Sequence, residues 1–183
     1  MKQTFLQKTG ILALCLAVVL VGAVFFGEDT VPASALVQSR KLPIYCVQTE
    51  KPKVSLSFDA AWGNEDTADL LSILEKYNVK TTFFMTGGWV ESYPEDVKAI
   101  SAAGHDLGNH SENHKQMSQL STEDCKKEIQ EVHEKVKELT GKDMMLFRPP
   151  YGDYNDTLIE AANSLGYHVI QWDVDILDTE VMI

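Results

Sequence analysis

Short apolar runs alternate with amphipathic stretches along most of the chain. Runs rich in β-branched, aromatic and other apolar residues predict strands at 54–58, 81–85, 105–109, 144–147 and 168–172. Between these runs, apolar residues recur at helical spacing. Because strands and helices alternate, the pattern predicts an α/β fold with a mainly parallel sheet.

Capping residues mark where the helices begin and end. Asn64 or Asp66 can cap the first helix, whose apolar face consists of Leu70, Leu71, Leu74 and Tyr77. The clearest helix follows Ser121, with Asp124 in a capping-box-like position and Gly141 after its end. Its apolar stripe consists of Cys125, Ile129, Val132, Val136 and Leu139. Two further helices are predicted at 94–104, with Pro94 in the first turn, and at 156–165, before Gly166.

Residues 10–27 form an uncharged apolar run that follows Lys2 and Lys8. At about 1.5 Å per residue such a helix spans roughly 27 Å, close to the thickness of a bilayer core. The flanking charges predict a cytoplasmic tip at 1–9 and an extracytoplasmic domain. The run is either a single-pass membrane anchor or a signal sequence, since the small residues at 33–35 resemble a cleavage site and would leave a secreted protein.

Beyond residue 27 the chain is strongly acidic. It carries 14 basic and 27 acidic residues there, a net charge of −13. Nucleic acid is therefore not an expected partner, because phosphate binding depends on clusters of Lys and Arg. Residues 28–52 contain three prolines in a stretch of mixed polarity and are predicted to be a tether, which leaves 53–183 as the folded domain.

The three cysteines leave more than one interpretation open. Cys15 lies inside the apolar run. Cys46 and Cys125 could form a disulfide outside the cell or remain free and buried, because spacing alone does not give their separation. Their spacing is not that of a cysteine metal site.

Polar residues follow the predicted strands at several points. Asp59, Arg148 and Asp175 each lie at or beyond a strand's carboxyl end, the edge where active residues gather in parallel sheets. His110 and His114 are four residues apart, a spacing that would place both imidazoles on one side of a helical turn. Neutral imidazoles bind zinc and similar ions, so the set predicts a metal-assisted hydrolase.

Four short motifs resemble those of one known family. They lie at 57–62 (Ser-Phe-Asp-Ala-Ala-Trp), 110–114 (His-Ser-Glu-Asn-His), 148–152 (Arg-Pro-Pro-Tyr-Gly) and 175–178 (Asp-Ile-Leu-Asp). In order and spacing they resemble the NodB-homology polysaccharide deacetylases, carbohydrate esterase family 4, and most of all its sporulation-associated branch. The resemblance implies a deformed (β/α) barrel, here with about five βα units, that removes N-acetyl groups from peptidoglycan or a chitin-like wall polymer.

The resemblance also implies roles for individual residues. Asp59 would be the general base, and Arg148 would orient it. His110 and His114 would hold a divalent metal, with zinc as the expected ion. The backbone N–H of Tyr151 would stabilise the oxyanion.

Further roles concern the substrate and the catalytic acid. Asp175 or Asp178 would support an acid located later in the chain. Trp62, Pro149 and Tyr151 would contact the sugar, whereas Trp89 is expected to pack in the core.

The chain departs from the family pattern at three points. Ala60 replaces an aspartate that would be the third metal ligand, and Thr179 replaces a tryptophan. The Leu-x-x-His motif that supplies the general acid does not precede Ile183, so the domain is expected to be carboxyl-terminally truncated. These departures favour an alternative function as a catalytically impaired fragment or a non-catalytic wall-glycan-binding protein. A third interpretation, an amidase acting on a small molecule, uses the same residues.

Overall fold

The computed structural model describes residues 40–175, in which strands and helices alternate. The strands are β1 (Ser57–Ala60), β2 (Thr82–Met85), β3 (Asp106–Asn109), β4 (Leu146–Phe147) and β5 (His168–Val169). The helices are α1 (Thr67–Lys76), α2 (Gly87–Ser92), α3 (Pro94–Ala102), α4 (Thr122–Thr140) and α5 (Asp156–Ser164). Short 3₁₀ turns occupy Met117–Gln119 and Pro150–Gly152.

The five strands form one parallel sheet in the order β1-β2-β3-β4-β5. Asp59 lies beside Phe84, and Asn109 lies between Met85 and Phe147 in the two neighbouring strands. Because parallel strands run in the same direction, the segments that follow them emerge at one edge of the sheet. The predicted α/β class with a parallel sheet is confirmed.

Helix α4 provides much of the hydrophobic core. Ser121 Oγ accepts a hydrogen bond from Asp124 N at 3.1 Å, and Gly141 ends the helix in the left-handed conformation (φ 72°). Its buried residues are Cys125, Glu128, Ile129, Val132 and Val136. The predicted apolar stripe is therefore confirmed, except that Leu139 is only half-buried and a carboxylate, Glu128, lies within the stripe.

Several predicted strands have different bounds in the structure. The first was predicted at 54–58 but occupies Ser57–Ala60. Val54 and Leu56 are exposed, so the apolar residues before Ser57 lack the burial that their pattern suggested. Helix α2 was not predicted, since its two leading glycines hide the helical pattern. Thr86 caps this helix, since its Oγ accepts a hydrogen bond from Trp89 N at 3.2 Å.

Part of the predicted tether contacts the sheet. Ile44 N donates a hydrogen bond to Val169 O at 2.8 Å, and Gln171 N donates to Ile44 O at 2.9 Å. These bonds form a parallel bridge between Ile44 and Ile170. Lys41 N also donates to Asp156 Oδ1 at 2.9 Å. Ile44 therefore extends the sheet next to β5, and Lys41 contacts the first residue of α5.

The predicted membrane segment at 10–27 lies outside the described residues. Between residues 40 and 175, no helix has the length and apolar character needed to cross a bilayer. In the same range Cys46 is an exposed free thiol and Cys125 is a buried one, so these two cysteines do not form a disulfide.

Candidate active site

Asp59 and Arg148 meet at the carboxyl edge of the sheet. Arg148 Nη1 donates a hydrogen bond to Asp59 Oδ1 at 2.5 Å, and Nη2 donates to Ser57 Oγ at 2.7 Å. The Arg148 side chain is buried, whereas the Asp59 side chain is 34% exposed. Charge-assisted bonds of this kind are strong and directional. One carboxylate oxygen of Asp59 is thus fixed, and the group as a whole remains accessible.

The guanidinium of Arg148 lies on an aromatic surface. Its central carbon is 4.0 Å from the centroid of the Phe84 ring and 5.7 Å from that of Trp172. Cation–π contact and burial restrict the rotamers of Arg148. The position of Asp59 is therefore set by β1 and by the segment that follows β4.

His110 is a buried, neutral imidazole. Its Nδ1 lies 2.8 Å from the carbonyl oxygen of Arg148 and must carry the proton in order to donate to it. The Nε2 lone pair then lies 3.8 Å from Asp59 Oδ2. Burial lowers the pKa of His110 to about 4, although the nearby Asp59 charge acts in the opposite direction. At neutral pH the two residues are therefore not an ion pair.

His114 lies in an irregular loop, and the prediction of a helical turn for the histidine pair is wrong. Ser111 and His114 both have left-handed backbones (φ 65° and 51°), which are incompatible with a continuing right-handed helix. His114 N donates a hydrogen bond to Ser111 Oγ at 3.1 Å. The two imidazole centroids are nevertheless 5.0 Å apart. The loop, and not a helix, brings the histidines together.

The histidine pair fits two ligands of a metal site. His110 Nε2 is free of a proton, and His114 Nδ1 is buried without a hydrogen-bond partner among residues 40–175. Burial also lowers the pKa of His114, which favours the neutral, ligating form. Within the same residues, no three His, Cys, Asp or Glu side chains are grouped to hold a metal. The donor set thus fits a divalent ion incompletely.

Ala60 lies at the last position of β1, directly after Asp59. Its side chain is half-buried and packs against the hydrophobic core. A methyl group cannot ligate a metal, so β1 supplies Asp59 as its one carboxylate at this edge.

Asn109 supports the site through hydrogen bonds and was not predicted as a site residue. It is fully buried at the end of β3, where its Oδ1 accepts a hydrogen bond from Ser111 N at 3.0 Å. Its Nδ2 donates to Ile129 O at 2.7 Å. The sequence signal that could have identified it is a polar residue at the end of a strand, directly before a candidate metal-binding histidine. Asn109 ties residues 110–115, the histidine loop, to β3 and α4.

Aromatic side chains flank His114. The rings of Trp62 and Tyr151 lie 5.0 Å and 4.5 Å from the His114 imidazole, and both side chains are largely exposed. Tyr151 also has a left-handed backbone (φ 59°), which follows the buried Pro149 and Pro150. An open cavity of about 670 Å³ borders His114 and Tyr151. This arrangement can accommodate a flat, partly apolar ligand such as a sugar ring.

The other predicted site residues are not joined to this group. Asp175 is exposed and makes no hydrogen bond or ion pair with residues 40–175. Asp178 lies outside the described residues. Trp89 is buried, and its Nε1 donates to Gly63 O at 2.6 Å, which agrees with the predicted core role.

Comparisons with known proteins give a consistent result. The family model described as polysaccharide deacetylase matches residues 47–170. The peptidoglycan-N-acetylmuramic acid deacetylase PdaA of Bacillus subtilis is 33% identical over 138 residues, covering 75% of this chain and 52% of that protein. The solved structure of PdaA matches with a TM-score of 0.72 at 31% identity and covers 76% of this chain and 60% of that one.

A pseudoenzyme is also among the similar structures. The wild-type CE4-family pseudoenzyme from Bacillus anthracis matches with a TM-score of 0.71 at 34% identity, over 73% of this chain and 48% of that chain. A mutant of it with restored enzymatic activity matches with a TM-score of 0.71 at 36% identity, over 73% and 49% of the two chains. This chain spans about half the length of the curated relatives it matches.

Proposed function

Because this chain belongs to the polysaccharide deacetylase family, we propose that it is a hydrolase that removes N-acetyl groups from peptidoglycan or a chitin-like wall polysaccharide. One observation carries the proposal. Arg148 holds one oxygen of Asp59, while the other lies 3.8 Å from the neutral Nε2 of His110. A fixed carboxylate beside a neutral imidazole suits hydrolysis of an amide.

In the proposed mechanism Asp59 is the general base. Its accessible carboxylate takes a proton from the water that attacks the acetamide carbonyl. Arg148 keeps the carboxylate from rotating away. A divalent metal bound by His110 and His114, with zinc as the expected ion, would polarise that carbonyl and lower the pKa of water. The carbonyl of Arg148 keeps His110 in the required tautomer.

The aromatic residues are proposed to bind the glycan. Trp62 and Tyr151 present exposed rings beside His114, where a sugar can stack. Pro149 shapes the loop that carries Tyr151, and the N–H of Tyr151 is proposed to stabilise the oxyanion. Asp175 and Asp178 remain proposed supports for a catalytic acid.

A non-catalytic or catalytically impaired role is the alternative, and Ala60 favours it. The position after Asp59 lacks a ligand, and a similar protein from Bacillus anthracis is described as a pseudoenzyme. In this alternative the aromatic residues still bind wall glycan, while hydrolysis is slow or absent. Both functions place the domain outside the cytoplasm, with an acetylated wall glycan as partner and residues 10–27 as anchor or signal. Neither involves nucleic acid.

The test is acetate release by the full chain from N-acetylglucosamine oligomers and from peptidoglycan, with added zinc or with chelator. We expect zinc-dependent release. Asp59→Asn should lower it by about 10²–10⁴-fold, the usual contribution of a general base. Retained far-ultraviolet circular dichroism would show that the variant still folds.

The same preparations distinguish the alternative. If the protein sediments with peptidoglycan but releases no acetate, the result would favour a glycan-binding protein. Release that is equal in Asp59→Asn and the unmodified chain would contradict the proposed mechanism. Absence of both acetate release and binding to peptidoglycan would contradict the deacetylase and the glycan-binding protein, and it would favour an inert fragment.

A further inference from the structure

A buried carboxylate on α4, outside the catalytic group, is directed at the histidine loop. Glu128 is 4% exposed and lies among the apolar residues of the helix. Burying a charge is costly unless hydrogen bonds compensate for lost water. Burial acts to raise the pKa of Glu128, but the hydrogen bonds it accepts outweigh this, and its pKa is lowered. The carboxylate is therefore a well-satisfied anion.

The donors to this carboxylate all come from the histidine loop. Asn113 N donates to Glu128 Oε2 at 2.8 Å, and Asn113 Nδ2 donates to Oε1 at 2.9 Å. Lys115 Nζ donates to Oε1 at 2.7 Å. The backbone carbonyl of Glu128 adds a fourth contact by accepting from Glu112 N at 3.0 Å. One helical position thus binds three residues of the loop.

These contacts bracket His114. Asn113 and Lys115, its two neighbours in sequence, are both bound to Glu128. His114 itself has a left-handed backbone, a conformation that persists only where the surroundings enforce it. The backbone N–H of His114 donates to Ser111 Oγ, and Ser111 N donates in turn to Asn109 Oδ1. The loop is therefore anchored at Ser111 by β3 and at Asn113 and Lys115 by Glu128.

We propose that Glu128 is a positioning residue that holds Asn113 and Lys115 so that the His114 imidazole faces His110, Trp62 and Tyr151. This inference rests on the proposed function, in which His114 is a metal ligand. It assigns part of the orientation of that ligand to α4. The same helix also accepts a hydrogen bond from Asn109 through Ile129 O and pairs with Glu112 of the loop through Lys135. Glu128 contacts neither substrate nor metal.

The experiment compares Glu128→Ala and Glu128→Gln with Glu134→Ala in the full chain. Glu134 is an exposed carboxylate on the same helix, so its loss removes the same charge without touching the loop. The principal measurement is the nuclear magnetic resonance shift of the His114 imidazole, which senses the rings of Tyr151 at 4.5 Å and Trp62 at 5.0 Å. Amide hydrogen exchange of residues 111–115 is measured relative to α3 and β2.

In Glu128→Ala we expect the His114 shift to move towards that of a free histidine, and residues 111–115 to exchange at least tenfold faster while α3 and β2 change little. Glu128→Gln should be intermediate. Its amide oxygen can still accept from Asn113 N, but its NH₂ group replaces the oxygen that accepts from Asn113 Nδ2 and Lys115 Nζ. Zinc affinity should fall about tenfold in Glu128→Ala, the lower end of the usual effect of supporting residues. Glu134→Ala should match the unmodified chain in all three measurements.

An unchanged His114 shift in Glu128→Ala would overturn the inference, even if the variant were less stable. If Glu128→Ala does not fold, Glu128→Gln is judged by the same shift. If the unmodified chain binds no zinc, the metal-dependent proposed function fails. The imidazole shift and the loop exchange still decide the role of Glu128.

Discussion

At the scale of single residues, Arg148 has two separate functions. Its side chain fixes Asp59, and its backbone carbonyl fixes the tautomer of His110. The motif sequence predicted the first contact. The second could not be predicted, because a backbone carbonyl leaves no signature in residue type.

Arg148→Lys separates these functions. A lysine ammonium cannot bond to Asp59 and Ser57 in the fixed fork geometry, nor lie flat on Phe84. We expect kcat/KM for acetate release to fall at least tenfold, with the His110 Nδ1 proton retained. Kinetics and imidazole ¹⁵N spectra measure the two effects. A change of His110 tautomer would contradict this account, and Lys142→Arg at an exposed position serves as the matched control.

Ala60→Asp tests whether a missing ligand weakens the metal site. We expect zinc affinity to rise at least tenfold, because a third ligand joins two neutral imidazoles. In chelator the variant should unfold at a lower temperature than the unmodified chain, since a carboxylate enters a half-buried position against the core. Titration calorimetry and thermal unfolding measure these effects. Zinc affinity that is unchanged, or raised equally by Ala61→Asp, would contradict the interpretation of Ala60.

At the scale of secondary-structure elements, α4 connects the core to the histidine loop. Its contribution depends on pH because Glu128 has a lowered pKa in the fold. Such a group stabilises the fold above its ordinary pKa of 4.5, and this stabilisation is lost as the pH falls through the lowered value. The groups that lower the pKa of Glu128 are Lys115 and Asn113, both in the histidine loop.

We therefore predict that Glu128→Gln lowers stability most near neutral pH. The difference in the free energy of unfolding between this variant and the unmodified chain should shrink as the pH falls below about 4.5. Urea unfolding at a series of pH values measures it, with Glu134→Gln as the control. A difference that grows in acid would contradict the sign of the pKa shift.

The elements also show what a sequence pattern can and cannot predict. The strands and α4 were predictable because burial imposes periodic apolar positions on them. Glu128 falls on that stripe, at the helical spacing of Cys125 and Val132, yet a single glutamate in a helix usually faces solvent. The histidine loop was predicted as a helical turn because His110 and His114 are four residues apart, a spacing that brings two side chains together in a helix and does so here in a loop. Only the contacts with α4 and β3 distinguish them.

At the scale of the whole molecule, the folded domain begins earlier in the chain than the predicted end of the tether at residue 52. Composition predicted a tether up to residue 52, since Pro43 and mixed polarity look like a linker. One residue of that segment, Ile44, nevertheless pairs with Ile170, the residue that follows β5. A bridge of one residue pair is too short to show the alternation of apolar and polar residues that identifies a strand, so it could not be predicted.

Ile44→Pro tests whether this bridge stabilises the fold. Proline removes the N–H that donates to Val169 O. We expect the free energy of unfolding to fall by about 1–3 kcal/mol, the cost of breaking a bond and leaving an acceptor unpaired. Urea unfolding measures it. Val47→Pro, at an exposed position, should have a much smaller effect, and equal effects of the two prolines would show that the bridge contributes little.

The carbonyl of Arg148 has a consequence for how this protein can change over evolutionary time. A main-chain oxygen is present whatever side chain a mutation introduces, so the proton on His110 Nδ1 is insensitive to substitution at position 148. The hydrogen bond to Asp59, in contrast, is lost when the guanidinium is replaced. Substitution at position 148 would therefore free Asp59 while His110 kept its tautomer. A descendant changed at that position would still present the unprotonated Nε2 of His110 at the edge of the sheet.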